Sequence, residues 1–341
     1  MMRRSVQCLW GILLMGMLVL QACAPKDEWV MYREKFIHPD GRILDTANRQ
    51  MSHSEGQGYA MLLAVHYDDE ATFERLRAWT FQNLGVRKDS LFAWKWESIA
   101  ERQSGVRDLN NATDGDLLIA WALLRAWKKW KREDYLQSAR KIAADIRSLC
   151  VRPSVYGLIL LPGLQGFEKE QGIVVNLSYW VFPALSELQE IDPAPEWAQL
   201  IQSGQQLIQA ARFGQWQLPP DWLLLSEPLQ CAPDFEPMFG YNAVRIPLYI
   251  LWHNPKERER MTACSAFWSQ THACFIHLKN NRRGFTRSSQ GIQAIAFWAR
   301  AAQQERIVRP KDLPFLHQGE DYFSASLLLL TKMALQEVGS P

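Results

Sequence analysis

Acidic side chains set beside glycines at the start of apolar runs are the first residues in this chain with the makings of chemistry. Glu55 stands in Ser54-Glu55-Gly56-Gln57-Gly58-Tyr59, and two more acids stand in Thr113-Asp114-Gly115-Asp116. Two carboxyl groups facing one cleft can hydrolyse an acetal. One lends a proton to the departing oxygen while the other works from the opposite face. A plainer reading runs beside it: Ser54 caps a helix, Glu55 complements the helix dipole, and Asp-Gly-Asp is a cap or a loop. Asp114 and Asp116 are two residues apart, so at a helix start they point in different directions, and one caps while the other faces a cleft. Gly56 and Gly58 in a first helical turn each cost about 1 kcal/mol relative to alanine. Something other than helix stability selects them, and one candidate is close approach of a ligand to the backbone.

The elements that would carry these residues are helical. After a polar lead from Lys26 to Ser52, apolar residues recur with helical period near 56–67, 70–83, 115–131, 133–149, 178–189, 196–211, 243–252, 256–276, 289–303 and 321–337. Strand-like alternation is scarce, with Tyr156–Leu161 the best candidate for one arm of a short hairpin. No low-complexity linker interrupts the chain, so residues 23–341 form one all-α domain. Helices arriving in pairs fit a toroid of hairpins or a solenoid, and no repeated sequence unit of the solenoid kind is present.

Residues 1–22 carry Arg3 and Arg4, an apolar run from Leu9 to Leu20, and then Leu20-Gln21-Ala22-Cys23, the layout of a secretory signal ending at a lipobox. The apolar run is short for a bilayer of about 30 Å. The expectation is cleavage before Cys23, lipidation of Cys23, export to the periplasm and anchoring by lipid. Ala24 after Cys23 favours the outer membrane over the inner. Without residues 1–22 the basic count falls from 38 to 36, against 36 acids. A neutral surface gives no footprint for nucleic acid. Cys150, Cys231, Cys264 and Cys274 remain, in no metal-binding spacing, and at least two are expected as buried free thiols.

The run Ala112-Thr113-Asp114-Gly115-Asp116-Leu117-Leu118-Ile119-Ala120, with Ser54 to Tyr59, resembles glycoside hydrolase family 8. The likeness is greatest to the periplasmic cellulases that accompany bacterial cellulose synthases. That resemblance implies an (α/α)6 barrel, a β-1,4-glucan substrate, inversion of configuration, and a link to the cellulose synthase machinery. It implies Glu55 as the general acid and Asp114 as its acidic partner, described either as catalytic or as the residue that holds and distorts the cleaved sugar. Asp116, Trp94, Trp96, Tyr241, Arg245 and Tyr322 fall at substrate-binding places. Arg245 is equally readable as a structural ion-pair partner. Leu161-Pro162-Gly163, Asn176-Leu177-Ser178-Tyr179 and Pro220-Asp221-Trp222 follow in the family's order, while Ile173 stands where relatives often have a tryptophan platform, which implies one weaker sugar subsite.

One departure bears on mechanism. Relatives read Tyr-Asp-Ala-x-Arg where this chain has Tyr241-Asn242-Ala243-Val244-Arg245. An amide cannot take a proton at neutral pH. Asn242 is therefore expected to position water or substrate, with Asp114 or another acid as base; Asp221, Asp234 and Glu236 are the substitutes considered, each readable as a solvated loop acid. No metal or organic cofactor is required, since two carboxyls and a water suffice. Two rivals remain: a catalytically weak glucan-binding lipoprotein that assists polysaccharide export, and a family 8 hydrolase acting on another glycan.

Overall fold

The computed structural model describes residues 27–97 and 104–339. The signal-like segment 1–22 and Cys23 lie outside the described residues. Within them the chain is mostly helical: α1 (Glu28–Phe36), α2 (Ser54–His66), α3 (Glu70–Asn83), α4 (Thr113–Trp130), α5 (Glu133–Asp145), α6 (Phe182–Leu188), α7 (Pro195–Ala210), α8 (Ile246–His253), α9 (Thr262–Thr271), α10 (Gln290–Gln303) and α11 (Tyr322–Val338).

Two stretches differ from the periodicity. Helix α1 falls in the segment read as a polar lead, because its buried stripe of Trp29, Tyr32 and Phe36 is interleaved with charged residues. Residues 256–276, read as one helix, divide into a tight-turned stretch Pro255–Met261, helix α9, and a strand Phe275–His277. His272 ends the helix by adopting φ +55°.

Strands are short and antiparallel. Val151–Ser154 pairs with Gly157–Leu160, the hairpin expected from the alternation there. A four-stranded sheet of Glu168–Lys169, Gly172–Val175, Leu223–Leu225 and Gln230–Cys231 has no sequence signal, since strands of two to four residues are too short to alternate visibly. Ile173 lies in that sheet opposite Leu225 and does not line the cleft described below.

Helix contacts run in a circuit: α2 on α4, α4 on α6, α6 on α8, α8 on α11, and α11 back on α2. Helices α3, α5 and α7 pack on α2, α4 and α6 in turn. The circuit helices are buried around their circumference, α2 from Gly56 to Val65 and α8 from Ile246 to Trp252, whereas α5 buries one stripe only. That contrast separates an inner helix from an amphipathic outer one.

The glycines beside the acids serve this packing. A Cβ on Gly58 would lie 2.5 Å from Leu118 Cβ, and one on Gly56 would lie 2.8 Å from the Tyr322 hydroxyl. Of the candidate reasons for these glycines, close approach of a ligand is not the one realised: neighbouring side chains and helices fill the space. The four cysteines among the described residues are free, with Cys150, Cys264 and Cys274 buried.

Candidate active site

The starts of the inner helices converge on one cleft of about 540 Å³. Ser54 and Glu55 open α2, Ala112 and Asp114 flank the start of α4, Asp321 and Tyr322 begin α11, and Asn242 and Arg245 lie in the turn leading into α8. Helix N-termini carry partial positive charge, so carboxylates placed there are favoured by about 0.3–1 kcal/mol each. Three sequence motifs brace these ends. Leu161 and Pro162 carbonyls accept from Thr113 Oγ1 (2.7 Å) and N (2.9 Å), fixing the start of α4. Ser178 Oγ accepts from Arg245 Nη2 at 2.9 Å. Asp221 Oδ1 accepts from the backbone N–H groups of Gly240 (2.9 Å) and Ala243 (2.8 Å), holding the loop that bears Tyr241 and Asn242.

Arg245 is the hub. Only 2% exposed, its Nη1 donates to Glu55 Oε1, to Asp114 Oδ2 at 3.1 Å and to the Tyr59 hydroxyl at 3.0 Å. Its Nη2 donates to Asn242 Oδ1 at 2.8 Å. Of the two readings of Arg245, the ion-pair partner is the one the structure displays, and it acts inside the site by holding two carboxyls together. Because Glu55 and Asp114 meet on one nitrogen, their nearest oxygens are closer than the roughly 6.5–9.5 Å that leaves room for water between an inverting pair.

Glu55 Oε1 also accepts from Tyr59 OH at 3.1 Å, and Tyr59 OH meets Tyr249 OH at 2.7 Å. Glu55 Oε2 faces His53 Nδ1 at 3.7 Å. Asp114 is buried, its Oδ1 accepting from Gly115 N at 2.9 Å. Burial pushes its carboxyl up to about 8, the Gly115 N–H opposes the rise and Asp116 adds to it; the Arg245 guanidinium pulls back toward the carboxylate.

Asp116 does not reach the cleft, which corrects its assignment to substrate binding. It is fully buried, with Oδ1 accepting from Phe92 N and Oδ2 from Asn111 Nδ2, both at 2.8 Å. Of the paired acids, the first faces the cleft and the second ties α4 to the preceding chain.

The aromatic places divide similarly. Tyr241, 54% exposed, is backed by Phe275 at 4.4 Å and Phe323 at 5.4 Å, leaving a ring available for stacking on a pyranose. Trp94 lines the cleft, anchored by its Nε1 to Asp108 at 2.8 Å. Trp96 is not on the wall: its ring packs on Trp79 and under Arg42. Tyr322 forms floor rather than platform, buried with its hydroxyl against Gly56 and no hydrogen-bond partner for it among the described residues. None of the substitute bases lines the cleft. Asp221 is a half-buried loop clamp whose carboxylate is taken up by backbone N–H groups, not a solvated acid; Asp234 pairs with Lys169 and Glu236 with His277.

The sequence reading missed Asp45, His53, Tyr59, Tyr179 and Asp321. Tyr59 had a signal, being one turn along α2 from Glu55. Asp45 had none, because a turn folds it back to His53 Nε2 at 3.5 Å.

Comparison with known proteins follows the same outline. The family model described as glycosyl hydrolases family 8 matches residues 2–337. A protein of Novacetimonas hansenii named "Probable endoglucanase" is 37% identical over 321 residues, covering 92% of each chain. Among solved structures, endo-beta-1,4-glucanase CMCax from Acetobacter xylinum superposes with a TM-score of 0.83 at 36% identity, covering 92% of this chain and 98% of that one. Endoglucanase Cel10 from Klebsiella pneumoniae, a family 8 glycosyl hydrolase, gives 0.82 at 33%, covering 92% and 99%.

Proposed function

The chain belongs to glycosyl hydrolases family 8 and is an endoglucanase, and from that footing we propose how its cleft cuts a β-1,4-glucan. The observation that carries the reading is the meeting of Glu55 and Asp114 on Arg245 at the floor of a cleft walled by Trp94 and Tyr241. The closed circuit of five inner helices supports a helical toroid with this cleft across its mouth, and membership of family 8 supports its six-hairpin, (α/α)6 form.

Glu55 gives its proton to the departing glycosidic oxygen as the bond to C1 breaks, and a water attacks C1 from the other face, which inverts the anomeric centre. Asp114, drawn close to Glu55 by Arg245, holds the sugar being cleaved. Asn242 donates through its amide to the water. The water's proton leaves to a carboxylate on the wall. Of those lining the cleft, Asp45 faces His53, Glu55 and Asp114 share Arg245, and Asp321 has no cationic partner among the described residues; Asp321 takes the proton in this reading.

Arg3, Arg4, the apolar run and Cys23 support export with a lipid anchor in the periplasm, the outer membrane favoured by Ala24. The resemblance of the two acidic motifs to the cellulases of cellulose synthase systems supports work beside that machinery. Asn242 favours one second reading, a weakly catalytic glucan-binding lipoprotein. Reducing-end release from carboxymethylcellulose by the purified protein, beside Glu55→Gln, decides between them. Release by wild type and a drop of about 10²–10⁴ in the variant support hydrolysis; glucan binding with no release above the variant supports the second reading.

A further inference from the structure

We infer that His53 is a positioning residue for the acid, keeping the transferable proton on Glu55 Oε2. The inference rests on the reading of Glu55 as general acid. Two donors already occupy Glu55 Oε1, the Tyr59 hydroxyl and Arg245 Nη1. Oε2 is therefore the oxygen left to carry a proton, and it lies 3.7 Å from His53 Nδ1.

The state of that nitrogen follows from its other contacts. Nδ1 accepts the backbone N–H of Gly56 at 3.1 Å, so it bears a lone pair and no hydrogen. The ring hydrogen belongs on Nε2, which faces Asp45 Oδ2 at 3.5 Å. Asp45 is itself fixed, Oδ2 accepting from Asn48 Nδ2 at 2.6 Å and Oδ1 from Ala47 N at 3.1 Å. Tyr322 closes the other side, its ring edge-on to the imidazole at 5.5 Å. Nδ1 has one lone pair, which the Gly56 N–H already engages and which Oε2 reaches only as a second, longer partner. Shared in this way it still attracts a protonated carboxyl and repels an ionised one. An N–H in the same place would do the reverse. The arrangement holds the acid loaded on the oxygen free to turn toward the leaving group, and separations of this length shorten once substrate is bound.

The test separates help to the acid from support of the fold. His53→Ser keeps a good N-cap for α2 and removes the ring. Its kcat and KM are measured on a cello-oligosaccharide and on a dinitrophenyl cello-oligosaccharide, whose leaving group departs without a proton, with Glu55→Gln in parallel. Expected for His53→Ser is a fall in kcat of about tenfold to a hundredfold on the first substrate, KM unchanged, and little change on the second. His53→Asn places an acceptor oxygen where Nδ1 stood and is expected to recover most of the loss, which also covers the case of a serine variant that folds poorly. An equal fall on both substrates, no fall at all, or an asparagine that recovers nothing overturns the inference. If Glu55→Gln shows no preference for the activated substrate, the acid assignment fails first and the inference with it. If Glu55→Gln shows that preference and His53→Ser does not, the inference alone fails.

Discussion

Asn242 Oδ1 accepts a hydrogen bond from Arg245 Nη2 at 2.8 Å, which turns the amide N–H groups of Asn242 away from the guanidinium. An aspartate in the same place would keep that bond and add a group able to take a proton. Asn242→Asp is expected to raise kcat on carboxymethylcellulose about a hundredfold, the low end of what a positioned base supplies. A fall instead would show that the amide N–H groups, as donors to the water, matter more than a base at this position.

The base assignment has its own chemical test. Asp321 caps α11, its Oδ1 accepting from Ser324 N at 2.9 Å, and it also lines the cleft. Asp321→Ser retains a capping side chain while opening space for a small anion. With azide present, that variant is expected to regain turnover and form an α-glycosyl azide, whereas Asp114→Ala is not. Recovery at position 114 and none at 321 would move the base to Asp114.

Packing supplies a third prediction. A Cβ on Gly115 would stand 2.1 Å from Ser54 Oγ and 2.7 Å from Glu55 N, so α4 and α2 touch at the residues that carry the two acids. Overpacking of this kind costs about 1–3 kcal/mol, against about 1 kcal/mol gained from alanine's helix propensity. Gly115→Ala is expected to lower the melting temperature modestly and to reduce kcat by a larger factor, because Glu55 moves with the start of α2. Thermal melting and turnover on the same preparation check this; unchanged turnover would mean the helix start tolerates the shift.

How far the sequence showed all this depends on the range of each interaction. Helical class, the start of α4 and the candidacy of Glu55 and Asp114 were legible, because period and motif are local properties. Which of Asp114 and Asp116 faces the cleft was not, since it depends on Phe92 N and Asn111 receiving the second carboxylate. Gly56 and Gly58 were legible as unusual but not as helix contacts, because their partners, Tyr322 and Leu118, are remote in sequence. His53 reads as an unremarkable residue before a helix until Asp45 is folded against it.

Asp116 carries the pH prediction. Burial pushes its carboxyl up to about 7, against opposing hydrogen bonds from Asn111 and Phe92 N. In the unfolded chain an aspartate releases its proton near pH 4. Between about pH 4 and about pH 7 the folded state therefore binds a proton that the unfolded state has lost, so this residue makes stability fall as pH rises through that window and adds no slope beyond it. Asp116→Asn cannot ionise and removes the slope, although it loses stability throughout because its amide nitrogen faces the amide nitrogen of Asn111. Melting temperatures measured from pH 4 to pH 8 should show the gap between wild type and variant widest at the acid end and narrowing toward pH 7. A gap that widens with pH would mean that Asp116 is ionised in the folded protein across the whole range, held so by its hydrogen bonds against the cost of burial.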